Sequence, residues 1–213
     1  MSRTLLMTVC LLLCCADGWS QTPDPPKYEV AGEFSTLNRS DFSGARTEIG
    51  VGGRFTYNLN RSFALESSGY FFPRRCFACD QNGRITEVVG GLKVGKRFKS
   101  WGIFGKARPG VVSFSEGQFD VVLTQPGSAF PYEFQTNRLT NFATDLGGVL
   151  EFYPSRRIVT RFDAGDTLVH FKRQTRNGLS YNPLTDTYTL IPFTVPAKTA
   201  HNFQFSASVG FRF

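Results

Sequence analysis

The sequence predicts an all-β fold: one closed, antiparallel, up-and-down barrel of eight strands crossing a membrane. Apolar and polar residues alternate with period two from Tyr28 nearly to Phe213, the mark of strands whose two faces meet different surroundings. The connections between these segments alternate between short and long, as in outer-membrane barrels. Phe occurs 22 times and Gly 21 times, and only 19% of residues are charged, which suits strands and tight turns better than helices. Helical spans are excluded, because the longest apolar run, Leu5–Cys15, falls short of the ~20 residues a crossing helix needs.

That run reads as a secretion signal. Arg3 gives the positive start, Leu5–Cys15 the apolar middle, and Gly18 and Ser20 the small residues at −3 and −1 before Gln21. The predicted organisation is a signal peptide over 1–20, a short proline-rich leader over 21–27 and a barrel over 28–213. Loss of the signal leaves the net charge at +7, since Arg3 and Asp17 cancel. A basic exported chain meets anionic lipid headgroups, and nucleic acid is not an expected partner.

The first strand is predicted over Tyr28–Thr36, with Tyr28, Val30, Gly32 and Phe34 on the lipid face. The second, Arg46–Asn58, turns Ile49, Val51, Phe55 and Tyr57 outward. The third, Ser62–Phe72, sets Phe63, Leu65 and Phe71 against Glu66, Ser68 and Tyr70. The fourth, Ile85–Phe98, and the fifth, Trp101–Phe114, place Val88, Leu92, Val94, Ile103 and Val111 outward. The sixth is Thr140–Tyr153 and the eighth Asn202–Phe213. The seventh, Ile158–Phe171, breaks the pattern, because strict alternation sends Asp166 to lipid. A β-bulge near Gly165 would turn Asp166 inward and Thr167, Val169 and Phe171 outward, and is preferred to strict alternation. Short turns fall at Leu59–Arg61, Lys99–Ser100 and Pro154–Arg157. Long loops fall at Leu37–Ala45, Pro73–Arg84, Ser115–Leu139 and Lys172–His201. An even strand number puts both termini on the short-turn rim, the periplasmic side, and the long loops outside the cell. Aromatics Tyr28, Tyr57, Phe63, Phe98, Trp101, Phe152, Phe211 and Phe213 gather near that rim as an interfacial girdle.

The inward parity is ionic. It carries Glu29, Glu33, Glu48, Glu66, Glu87, Asp145, Glu151 and Asp163 against Arg54, Lys93, Arg97, Lys106, Arg108, Arg161 and Arg212. An eight-stranded bore is filled by side chains, and buried charges must pair. A salt-bridged, largely plugged lumen follows, with inward Gly50, Gly52, Gly91, Gly95 and Gly147 making room for the long ions. A soluble barrel would reverse the faces, and its bore could not hold so many Phe rings.

With the terminal run Phe203–Phe213 in view, the chain resembles the small outer-membrane barrels typified by the barrel domain of outer-membrane protein A. The resemblance spans about residues 27–213. It implies that Phe205, Val209, Phe211 and Phe213 form the strand recognised by the barrel-assembly machinery. No peptidoglycan-binding domain follows the last strand, so cell-wall anchoring is not implied.

Candidate chemistry is sparse, and no cofactor or metal is expected. Cys76 and Cys79 sit in the second long loop, PRRCFACD. Asp80 rather than His follows, which excludes c-type haem attachment, and no further Cys completes a four-ligand zinc site. A loop-tightening disulfide suits an oxidising compartment; metal or redox chemistry and free thiols are the alternatives. His170 and His201 flank the fourth long loop. With Asp166, Ser206 and Ser208 they are the only cast for a hydrolase, and they match no motif. The basic stretch Lys93–Gly110 divides between lumen and rim, which removes its nucleic-acid reading. The expected role is structural or interactive, as a monomer presenting loops to a surface ligand. A narrow or gated small-ion channel is the alternative, and a barrel-embedded lipid hydrolase or acyltransferase a further one.

Overall fold

The computed structural model describes residues 25–41, 44–73, 82–123 and 131–213. The signal region, most of the leader, Cys76 and Cys79 lie outside the described residues. The strands are β1 (Tyr28–Asp41), β2 (Gly44–Asn58), β3 (Phe63–Phe72), β4 (Asn82–Arg97), β5 (Trp101–Leu123), β6 (Tyr132–Phe152), β7 (Ile158–Phe171), β8 (Gln174–Asn182), β9 (Thr187–Val195) and β10 (Lys198–Arg212). Eight of them close in the order β1-β10-β7-β6-β5-β4-β3-β2, and β8 and β9 form a separate two-stranded sheet. All neighbouring pairs in the barrel are antiparallel.

Closure runs through β1 and β10, from Glu29↔Arg212 to Arg39↔Asn202. Tyr28 and Phe213 exchange backbone hydrogen bonds of 2.9 Å at its foot. A ring without edges leaves no strand amide unpaired, the condition for a sheet in hydrocarbon. Side chains obey the predicted parity. Along β3, exposed Phe63, Leu65 and Phe71 alternate with buried Ala64, Glu66, Ser68, Tyr70 and Phe72. The outer wall is an apolar band that includes Phe34, Val51, Leu92, Ile103, Leu146, Phe162 and Val209. At the short-turn rim the girdle aromatics touch one another. Phe98 stacks on Trp101 at 4.3 Å, and Tyr28 meets Tyr57 at 5.3 Å and Phe213 at 5.9 Å. The turns there are locally pinned. Asn60 Oδ1 accepts from the Ser62 and Phe63 amides, both at 2.8 Å.

The other rim departs from expectation. β1 and β2 pair on through Leu37↔Glu48 to Asp41↔Gly44, so the expected first loop, Leu37–Ala45, is almost all strand. β5 and β6 pair as far as Leu123↔Tyr132, within the expected loop Ser115–Leu139. The hairpin β8–β9 occupies most of the expected loop Lys172–His201. Beyond the apolar band both faces of a strand are wet, so period-two hydropathy fades while backbone amides still need partners.

The bulge expected near Gly165 is absent. β7 keeps unbroken register with β6, through Gly147↔Gly165, and with β10, through Phe203↔Asp166 and Phe205↔Ala164. Asp166 therefore faces outward, and Thr167, Val169 and Phe171 are buried inside. The outward carboxylate is satisfied by β10, accepting from the Asn202 amide at 2.8 Å and meeting His201 Nδ1 at 2.6 Å. Register shifts occur instead toward the long-strand rim, between Asn82 and Ile85 and between Phe114 and Gln118. Gly83 takes φ 89° at the first of them, a conformation natural only to glycine.

The inward glycines also serve a different end from the one expected. At Gly50, Gly52 and Gly95 an added Cβ would strike Phe72, Tyr70 and Phe104 as well as backbone, and at Gly91 and Gly147 the backbone of the next strand. They admit rings and close strand approach rather than ions. At Gly91 the approach is close, since its Cβ would lie 2.2 Å from the Ala107 carbonyl oxygen. Gly91→Ala should lower the unfolding free energy by roughly 1–3 kcal/mol or more through this overpacking, measured by urea titration of the folded barrel in detergent micelles. Unchanged stability would mean that β4 and β5 do not approach so closely.

Candidate functional site: a charged lumen and a raised hairpin pair

The parity of seven strands delivers long ionic side chains into one narrow bore, where they meet across it. Glu66 on β3 is the hub. Its carboxylate pairs with Arg161 Nη1, accepts Arg161 Nη2 at 3.0 Å and the Thr56 hydroxyl at 3.2 Å, and lies 3.2 Å from Lys93 Nζ and 3.8 Å from Arg108. Lys93 Nζ also pairs with Glu151. Arg161 clamps Asp163 on its own strand with bonds of 2.6 and 2.7 Å.

Two further groups extend from this hub. Toward the long-strand rim, Arg108 donates to Asp145 at 2.8 Å and to the Ser68 hydroxyl at 2.7 Å. Lys106 lies 2.9 Å from Asp145 and 3.4 Å from Asp163, and Arg54 lies 2.8 Å from Glu33. Toward the short-turn rim, Arg97 donates to the Tyr153 oxygen at 2.9 Å and to Asn58 at 3.1 Å. The Tyr153 hydroxyl in turn donates to Glu151 at 2.8 Å. The acids Glu29, Glu33, Glu66, Asp145, Glu151 and Asp163 thus balance the bases Arg54, Lys93, Arg97, Lys106, Arg108 and Arg161. Balance and mutual contact are what make burial of charge tolerable.

Twelve of the fifteen inward charges expected from the sequence join this network. Of the others, Glu48 is buried but sits higher, opposite Leu37, and Arg212 lies at the short-turn mouth. Glu87 is also buried; its Oε2 accepts from the Gln204 amide at 3.3 Å, and its Oε1 has no hydrogen-bond partner among the described residues. Sequence reasoning missed the layer above. Leu37, Tyr70, Phe72, Ile85, Val89, Val112, Phe114, Ala143, Val169 and Phe171 form one apolar cluster inside the barrel. The guanidinium of Arg39 lies over it, 5.2 Å from the Phe114 ring centre. The bore therefore does hold Phe rings, and above the ion network its interior mixes this apolar cluster with buried polar groups, among them Glu48, Glu87, Asn141 and Gln204. Parity alone marked Phe72, Ile85 and Phe114 as inward; the expectation of a uniformly polar interior hid them.

The proposed hydrolase cast does not converge. His201 meets Asp166 on the outer wall, while His170 is 3.0 Å from Thr199 and stacks on Phe142. Ser206 is buried in the lumen, donating to Ser35 at 2.9 Å, and Ser208 is buried there too. The two histidines do not face each other.

At the long-strand rim, the extensions of β5 and β6 and the hairpin β8–β9 rise together. Asp120 accepts from the Asn177 amide at 2.9 Å, and the Tyr132 hydroxyl donates to the Tyr188 carbonyl at 2.5 Å. Their surface is rich in exposed rings. Phe119 stacks on Phe134 at 5.5 Å and Tyr181 meets Tyr188 at 5.0 Å, with Ile191 and Phe193 exposed beside them. Leu184 at the hairpin tip is 93% exposed. Tyr181 donates to Asp186 at 3.0 Å, which holds its phenol above the ordinary range and keeps it uncharged.

Removing the hub charge tests the network. Glu66→Gln keeps the shape but leaves Arg161, Lys93 and Arg108 sharing one carboxylate fewer, with a buried positive charge unbalanced, and should cost about 3–5 kcal/mol of stability as expected for a broken buried pair. Glu48→Gln, outside the network, should cost much less, both read by urea unfolding in micelles. Equal effects would mean that the network has no special weight.

No family model and no curated protein sequence matches the chain. Solved structures do match its fold. Neisserial surface protein A superposes with a TM-score of 0.52 at 12% identity, covering 90% of this chain and 100% of that one. Ail, the attachment invasion locus protein of Yersinia pestis, solved with the heparin analogue sucrose octasulfate, gives 0.49 at 11% identity over 89% and 99%. The N-terminal β-barrel domain of Pseudomonas aeruginosa OprF gives 0.43 at 12% identity over 90% and 100%. Closed ring, lipid-type outer wall and the superposition on Neisserial surface protein A agree, and the chain has the fold of the small eight-stranded outer-membrane β-barrel proteins.

Proposed function

We propose that this protein is a bacterial outer-membrane barrel that works outside the membrane: a plugged anchor presenting a raised aromatic surface to a partner. The observation that carries this reading is the division of the molecule. Side chains occupy the lumen at two levels, an ion network and above it a cluster rich in rings and aliphatic chains, while β5, β6, β8 and β9 carry unburied rings beyond the outer apolar band. A path for ions would have to breach both the ion network and the packed rings and aliphatic chains above it, which narrow the bore further. Exposed aromatic patches are the usual mark of interaction surfaces.

In this reading residues 1–20 are removed on export, both termini face the periplasm and the raised hairpins face the exterior. The outward rings of Phe205, Phe211 and Phe213, with Val209, lie on the closing strand or just beyond it, where assembly machinery would engage them.

Two measurements on cells test it. In a background with Cys76 and Cys79 replaced by Ser, Leu184→Cys should react with a membrane-impermeant maleimide on intact cells, and Ser155→Cys only after the outer membrane is permeabilised. Cells displaying the chain should adhere to an apolar polystyrene surface, and Phe119→Ser with Phe134→Ser should reduce that adhesion several-fold. The reverse labelling pattern would overturn the orientation, and unchanged adhesion would remove the aromatic surface from the account.

A further inference from the structure

The short-turn mouth of the barrel holds a cavity of about 440 Å³ that meets the ion network at Arg97. Its lining includes Arg61, Arg97, Lys99, Arg156 and Arg212, and no carboxylate stands among the described lining residues. The nearest acids lie beneath it. Glu29 is 3.7 Å and Glu151 3.4 Å from Arg97, and Glu151 is shared with Lys93 and Arg161. Five cations over two carboxylates already engaged below leave the mouth strongly positive.

Two members, buried Arg212 and half-buried Arg97, are held in place and keep donor capacity. Arg212 lies with its guanidinium 4.4 Å from the Tyr153 ring centre and donates to the Ser155 carbonyl at 3.0 Å. Arg97 is fixed through Nε and Nη2 by Tyr153 and Asn58. Arg97 Nη1 and Arg212 Nε are buried and have no acceptor among the described residues. Arginines fixed by neighbours and short of acceptors are the groups that take a phosphate with the least loss of freedom. The volume lies in the range of small-molecule sites. Phe98 lines the cavity and stacks on Trp101 of the girdle, so the cavity borders the level where lipid headgroups lie.

The geometry points to a phosphate-binding site at this mouth, filled by the headgroup phosphodiester of an anionic phospholipid or by a free phosphate ion. On the orientation proposed above it opens to the periplasm and to the inner leaflet of the outer membrane. The site itself stands on the cavity and its cations, and survives failure of the hairpin role.

The test uses the folded barrel released from vesicles of equal parts phosphatidylglycerol and phosphatidylcholine and examined by native mass spectrometry. The barrel should retain phosphatidylglycerol in preference to phosphatidylcholine. Arg61→Gln with Arg156→Gln, outside the buried network, should weaken retention by about tenfold per lost charge-assisted contact. Inorganic phosphate is titrated in parallel against the barrel in zwitterionic detergent, followed by phosphorus NMR. Retention of the lipid that phosphate does not displace identifies the lipid as ligand. Phosphate binding that the same substitutions weaken, and that displaces the lipid, identifies the free anion. Equal retention of both lipids with no phosphate binding, or retention unchanged by the substitutions in protein that still migrates as folded, overturns the site.

Discussion

One carboxylate organises the interior. Glu66 stands within 4 Å of Arg161, Lys93 and Arg108, which come from three different strands. Eight strands leave a bore only as wide as the side chains that fill it. Charges placed in such a bore must satisfy one another, because water cannot surround them. The contacts bind β3 to its neighbour β4 and, across the bore, to β5 and β7, reinforcing what the strand ladders do around it. Removing one partner costs far more than the pair contributes, since the charge left behind stays buried.

The apolar cluster above this network changes its meaning. Ionic interiors can rearrange, and an alternative pairing can open a path. Here the ions are overlaid by Phe72, Phe114 and Phe171 packed with aliphatic neighbours. A rearrangement of Lys93 or Arg161 alone leaves that layer in place. The same layering separates two chemically distinct ends, a ring-rich raised surface on one side and a cationic mouth on the other.

The strand centres and the sidedness of nearly every residue were legible in the sequence, because a wall with lipid on one side imposes strict alternation. Four things were not. The strand extensions around Leu123 and Tyr132 are wet on both faces and so carry no hydropathy signal. Asp166 read as misplaced because its partners, His201 and the Asn202 amide, lie on a strand distant in sequence. The inward rings were discounted by the expectation of a polar lumen. Which acid meets which base depends on strand stagger and rotamers, so Glu48 and Glu66, alike in sequence context, end in different layers. The loop pair Cys76 and Cys79 lies outside the described residues, and its bridge stays an expectation from the sequence.

The central claim is that the two layers together close the lumen. Planar-bilayer recording of the unmutated, purified barrel tests it most directly. The account predicts no steady unitary conductance above the leak of the bare membrane. A large, sustained conductance in the unmutated protein would contradict it, and the chain would then have to be understood as a pore.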